Sequence, residues 1–359
     1  MTAPLDPSEG GAIRATYLVF PRWTQPLWTW WTGRALPGEQ PLWQPGPWAY
    51  LGRAALAFAG GMAVTAFALD RWWPLIAVGW LITVGAARTL ISTISHQCVH
   101  YRFTGNQRLD MRVADALALV TFTKAAPIYR LEHTLQHHRG DVFTTARDPS
   151  AQFLETCGLA PGRGPGAAAA RMLVNLVSPV FHGRFLWSRI RGNVVDVAMS
   201  RRLATLAVWS AAIAALARYG ELGRFAVIYA APVILLYHVS VMLEFASEHA
   251  WLVPRAPGRP ASWGRFCGAP VPRGGAIAWL RWWLAMVGYH LVVRIAVLPA
   301  DLPQHDFHHR FPATKLWTHA AHARTACLDR GETRLVELWG LHRALGHVLH
   351  GLEELRHAG

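Results

Sequence analysis

AYLGRAALAFAGGMAVTAFALDRWWPLIAVGWLITVGAARTLISTISHQCVH, residues 49–100, contains two apolar runs, about 49–69 and 74–95, with only Asp70 to Trp73 between them, and it ends on His96 and His100. Each run can cross a hydrocarbon core of ~30 Å at ~1.5 Å per residue, so the stretch predicts a transmembrane hairpin. A third run, about 203–219, and a fourth, about 225–247, repeat the pattern around the short link RYGELGR. Two further stretches, 113–128 and 276–298, are interrupted by Asp115 and Lys124 and by Arg281, His290 and Arg294, and predict interfacial helices with charged faces toward water. The expected fold is an all-α integral membrane protein: four transmembrane helices in two hairpins, interfacial helices, and a cytosolic helical cap carrying the site described next. The divisions are a surface-lying arm at 1–48, rich in Pro, Gly and Trp, a membrane domain at 49–312, and the cap at 313–359.

Composition agrees with a membrane class: 52% of residues are hydrophobic and 16% charged. The formal charge of +14 is carried mostly between and after the apolar runs, without a nucleic-acid motif, and reads as a cytoplasmic face near anionic lipid. Arg102, Arg108 and Arg112 follow the first hairpin, which turns its tip outward under the positive-inside rule. Trp28, Trp30, Trp31, Trp43, Trp48, Trp72, Trp73, Trp282 and Trp283 suit anchoring at headgroup level, with some serving as core aromatics. Cys98, Cys157, Cys267 and Cys327 form no CxxC pair, so neither a disulfide framework nor a zinc ribbon is expected. No cleavable signal or transit peptide is evident at the start. The expected location is an inner membrane of bacterial type, with both termini cytosolic.

Three histidine clusters stand out: HQCVH at His96 and His100, HTLQHH at His133, His137 and His138, and HDFHH at His305, His308 and His309. Residues three or four apart on a helix lie one above the other, so each cluster aims imidazoles at one point, and neutral imidazole binds iron, zinc, copper or nickel well. If the clusters share one site they lie on one side of the membrane, so 101–132 and 250–304 each cross an even number of times, and both are short for two spans. His249, in FASEHAW at the end of the fourth run, sits at the depth of the first cluster and makes nine candidates. Nine nitrogens are too many for one ion and suit two. His238 lies inside the fourth run, ~16 Å from His249 by helix rise, and is a candidate for a substrate channel. His182, His290, His342, His347, His350 and His357 read as ordinary polar-face residues, and Cys98 points away from its flanking histidines.

These motifs resemble the membrane fatty acid desaturase and hydroxylase superfamily, over about residues 50–315. HHRFP at His308 to Pro312 looks like a desaturase ending. Glu132 before the second cluster, Glu248 before His249, and TTARDPS after the second cluster look like the alkane hydroxylase branch. Where acyl desaturases carry an Asn four residues before the extra histidine, this chain has Phe245, which transfers that role to Glu244 or Glu248 or removes it. The resemblance implies a non-haem di-iron centre that uses O2 to remove hydrogen from an unactivated C–H bond of a lipid or acyl substrate. Its metal ligands are His96, His100, His133, His137, His138, His249, His305, His308 and His309, with Glu132, Asp148 and Glu248 as assisting acids. Desaturation stands slightly ahead of hydroxylation, and the reading from another class is a metal transporter or sensor. The chain carries no haem-binding, CxxC or GxGxxG electron-carrier motif, so a separate donor such as ferredoxin or rubredoxin with its reductase is expected.

Overall fold

The computed structural model describes residues 7–253 and 260–354; His357 and the first six residues of the arm lie outside them. The chain is mainly helical with almost no strand, and it divides into two compact, interleaved units, 47–139 with 173–242, and 1–46 with 140–172 and 243–359.

The first unit is built on the helices Pro47–Arg71 and Leu75–Val99, 25 residues each. Small residues let their backbones approach, as in close membrane helix pairs. A Cβ on Gly61 would stand 2.7 Å from the Thr83 amide nitrogen, and one on Gly79 would stand 2.8 Å from that of Thr65. Thr65 and Thr83 return their hydroxyls to the carbonyls of Gly61 and Gly79 at 3.0 and 2.8 Å, so the seam holds no unsatisfied hydroxyl from either. Helix Gln107–Thr121 follows, capped by the Asn106 side chain. Helices Pro179–Ile190 and Met199–Arg218 and the first part of Leu222–Glu248 complete this unit.

Leu222–Glu248 contains Pro232 within π-helical turns. Proline has no N–H, so the carbonyl five residues earlier loses its donor. The Trp80 indole supplies one, reaching the Val227 carbonyl at 2.8 Å.

Four described helices are long and apolar enough to cross a membrane: Pro47–Arg71, Leu75–Val99, Leu222–Glu248 and Ala276–Ala296. The third predicted span is a helix, Met199–Arg218, but it is not among these four. Arg201, Arg202 and Arg218 and its many alanines lower its hydropathy. Ala276–Ala296 joins the set by length and composition; of its interruptions Arg281 is exposed, whereas His290 and Arg294 turn inward. Arg294 donates to the carbonyls of Trp30 at 2.7 Å and Ala300 at 3.0 Å, and His290 is buried, whereas Ile277, Leu280, Leu284 and Val287 are exposed.

In the second unit the arm is packed into the protein. Ile13, Tyr17, Trp28 and Trp31 form one aromatic core with Phe266, Trp282, Met286 and Trp339, so Trp28, Trp31 and Trp282 are core residues; Trp30, Trp43, Trp48, Trp72 and Trp73 are exposed. Arg34 pairs with Glu337 at 2.7 Å, and Glu39 lies 3.6 Å from His322, strapping the arm to the C-terminal region. A short parallel pair of strands, Gly264–Phe266 and Glu337–Trp339, is the one sheet among the described residues. Three-residue strands carry too little periodicity to be read from sequence.

Candidate metal centre

Each unit gathers its own group of imidazoles. In the first, His96 and His100 stand at the end of Leu75–Val99, after π-helical turns at Thr89–Ser95. The His96 Nδ1 faces the Ser92 carbonyl at 3.3 Å, which favours a proton there and leaves Nε2 for a metal. His133 and His138 come from the π-helical turn Leu131–His137. This is a departure from the α-helical spacing expected of HTLQHH. The His138 N–H donates to the His133 carbonyl, five residues back, at 3.1 Å, so those two rings meet. Their Nε2 atoms are 3.1 Å apart. The His133 ring centroid lies 4.5 Å from that of His96 and 5.2 Å from that of His100, and one nitrogen from each of the four residues falls within 4.8 Å of the others. His137 is buried and stacks on His133 at 5.2 Å.

Burial, then mutual repulsion between neighbouring imidazoles, lowers the His100 and His133 pKa values far below the usual range and brings His138 down to about 2. All three are neutral at physiological pH, the ligating form of imidazole.

In the second unit His249, His305 and His309 converge. Ring centroids are 5.3 Å apart for His249 and His305, and 4.6 Å for both His249–His309 and His305–His309. The His305 and His309 Nε2 atoms are 3.0 Å apart. His308 is buried, 5.8 Å from the rings of His305 and His309. Rings 4.6 Å apart cannot lie on opposite faces of a ~30 Å core. Residues 250–304 therefore make no net crossing, and Ala276–Ala296, despite its length, does not separate His249 from His309. The same argument between His96 and His133 gives 101–132 no net crossing.

Residues 71–292 match the profile of the fatty acid desaturase family. The chain belongs to the fatty acid desaturase family. A comparison with curated proteins finds no match. The matched stretch includes two of the desaturase-like histidine clusters and His249; the third cluster lies beyond it and is placed by geometry.

The three candidate acids occupy different positions in this desaturase-family chain. Glu248 is buried beside the second group, its Oε2 3.6 Å from the His305 Nε2 and its Oε1 3.9 Å from the His249 Nε2. Arg265, on the first strand, holds this corner. It donates to Glu244 Oε1 at 3.0 Å, to the Ser247 hydroxyl at 3.0 Å and to the Leu302 carbonyl at 3.2 Å. Asp148 is buried and caps helix Pro149–Thr156, accepting from the Ser150 N–H and the Thr144 N–H, both at 2.9 Å. Thr144 has φ +62°, a left-handed conformation costly for a β-branched residue. Next to it Phe143 lies over His249 and His309, ring centroids 4.8 and 4.7 Å away. Asp148 thus holds the Thr144 backbone, next to the Phe143 ring that lies over these imidazoles. Glu132 is partly exposed and its carboxylate is held by Lys124 at 2.5 Å.

Sequence reading missed Arg265, Phe143 and the buried pairs behind the third cluster. Arg324 binds Asp306 at 2.8 Å and Glu337 at 2.6 Å, and Glu337 also takes Arg34. Burial opposes the Arg324 charge, but these two carboxylates outweigh it and hold the guanidinium protonated. An acid within the cluster motif and a distant Arg were the only signals, and nothing in the sequence pairs them.

Proposed function

We propose that the protein is a membrane oxidoreductase of the desaturase type, in which the nine histidines hold two non-haem irons. His96, His100, His133 and His138 form the nucleus of one iron's ligand set, and His249, His305 and His309 that of the other; His137 and His308 complete the donors. The observation carrying this reading is the convergence of neutral imidazole nitrogens, with Nε2 pairs 3.0 and 3.1 Å apart, in a chain of this family. When bound, the iron pair supplies reductive activation of O2 and removal of hydrogen from an unactivated C–H bond.

The chain's own residues orient and protect that centre. Glu248 draws His305 and His249 into register, Phe143 shields His249 and His309 from water, and Lys124 fixes Glu132 and with it the turn that presents His133. The substrate is a lipid or acyl chain, with desaturation favoured by HHRFP and hydroxylation the second reading, favoured by Glu248 beside the imidazoles. The imidazoles lie on the cytosolic side of a bacterial-type inner membrane. Met199–Arg218 and Leu222–Glu248 then form the second hairpin. Two electrons per turnover come from a separate carrier such as ferredoxin or rubredoxin with its reductase.

Mass spectrometry of lipids from cells expressing the protein tests the reaction. A product lighter by two hydrogens supports desaturation, and one heavier by an oxygen supports hydroxylation. Unchanged lipids, with zinc or copper bound and no oxygen consumed, would favour the transporter or sensor reading.

A further inference from the structure

Half-buried His182 and fully buried His238 form a further histidine pair in the first unit, and Arg189 packs with His238 against Phe185. Their Nδ1 atoms are 3.2 Å apart, and the His182 Nε2 meets the Leu176 carbonyl at 3.0 Å. A carbonyl only accepts, so His182 carries its proton on Nε2 and presents a lone pair at Nδ1. His238 then donates from Nδ1 and keeps a bare Nε2, which is fully buried and has no hydrogen-bond partner. His182, expected as an ordinary polar-face residue, therefore fixes the tautomer of His238.

Arg189 lies 2% exposed on the same helix as His182. Its Nη1 donates to the Val233 carbonyl at 2.9 Å, and its guanidinium sits over Tyr237 at 4.6 Å and Phe185 at 5.5 Å. Nε and Nη2 have no hydrogen-bond partner. These two N–H groups are parallel, on one edge of the guanidinium, and form the fork that binds a carboxylate or phosphate through two oxygens. The acids of this unit are engaged elsewhere among the described residues. Asp70 and Glu221 bind Arg224, Asp115 binds Arg201, Glu132 binds Lys124, Asp196 binds Arg191, and Asp110 accepts from Thr104 and Gly105. Burial, with Arg88 adding to it, lowers Arg189 to about 10, and it stays charged at neutral pH. A buried guanidinium without a counter-anion is unfavourable.

We propose that Arg189 and His238 form a binding site for the anionic head of an amphiphile, a carboxylate or phosphate seated on the Arg189 fork. His238 Nε2 adds an acceptor for a hydroxyl on the same head. The outer side of this helix exposes Val180 and Trp187, so the ligand arrives from the lipid phase. Phe185, stacked on His238 at 4.0 Å, is the ring it displaces. The site shares no residue with the metal centre, and its test needs no turnover.

The test uses the full chain in neutral detergent, with thermal midpoint and binding measured against oleate, oleyl phosphate and phosphatidylglycerol, with oleyl alcohol as the neutral control. Wild type should bind at least one anionic probe ten-fold or more tighter than the alcohol and gain thermal stability from it. Preference for the single-chain probes marks a free acid or phosphate ester as occupant, and preference for phosphatidylglycerol marks a membrane lipid. Arg189→Met should erase the discrimination while keeping or raising the ligand-free midpoint, and Arg189→Lys should retain part of it. Equal affinity for the anions and the alcohol in wild type, or discrimination that survives Arg189→Met, overturns the proposal. So does an Arg189→Met chain that fails to fold while wild type shows no ligand-linked shift.

Discussion

His133 and His138 face each other because one extra residue is wound into their turn, so in the second histidine cluster the imidazole opposite His133 is the fifth residue on. His137, on the same turn, stacks on His133 at 5.2 Å. His138→Ala should lower metal content, read as iron per folded chain, while a conservative change at the neighbouring Gln136 should leave it as in wild type. Asp148 offers a second test at this scale. Asp148→Ala removes a helix cap and releases Thr144 from its left-handed conformation, at ~1–2 kcal/mol for the cap alone. Beyond that loss, freeing Phe143 should shift the electronic spectrum of the loaded centre, whereas a purely structural role would leave the spectrum of the surviving fold unchanged. The histidine spacing made the candidate ligands legible in the sequence. It did not reveal the π turn, because local periodicity does not encode an inserted residue, nor Phe143, whose contact depends on one backbone conformation.

Among the elements, the first hairpin was readable because two apolar runs share a link too short for any other path. Its seam was not singled out in the sequence, although Gly61 and Gly79 decide how closely the helices pack. Gly61→Leu or Gly79→Leu would drive a side chain into the facing backbone, and folded yield should fall sharply, with ~1–3 kcal/mol or more lost to overpacking. Trp80→Phe should cost ~1–3 kcal/mol by stranding the Val227 carbonyl beside Pro232, measured by thermal unfolding in detergent. The Ala276–Ala296 helix shows why charges alone mislead: Arg294 is satisfied by carbonyls of its own unit, and apart from Arg281 the exposed face is lined by Ile277, Leu280, Leu284 and Val287. The arm shows the converse. Its tryptophans suggested a membrane surface, but Trp28 and Trp31 complete a core that forms only when distant segments meet.

For the molecule as a whole, the net charge of +14 has a local expression beside the third histidine cluster. Arg310, which follows His309 directly, and Lys315, Arg330 and Arg334 are exposed there, with Glu332 between Arg310 and Arg334. An acidic electron carrier suits this patch, and its reduction rate should fall as salt rises above ~0.15 M, where charges are screened beyond ~8 Å. Paired Arg310→Glu and Arg334→Glu substitutions should slow protein-mediated reduction about ten-fold and flatten its salt dependence, while dithionite reduces the centre as before; equal slowing of both would remove the patch from the account. The measurement that tests the central claim most directly is metal analysis of the purified full chain alongside His133→Ala and His309→Ala. The account predicts two irons per folded wild-type chain and about one in each variant; wild type without iron, or variants that keep both irons, would contradict it.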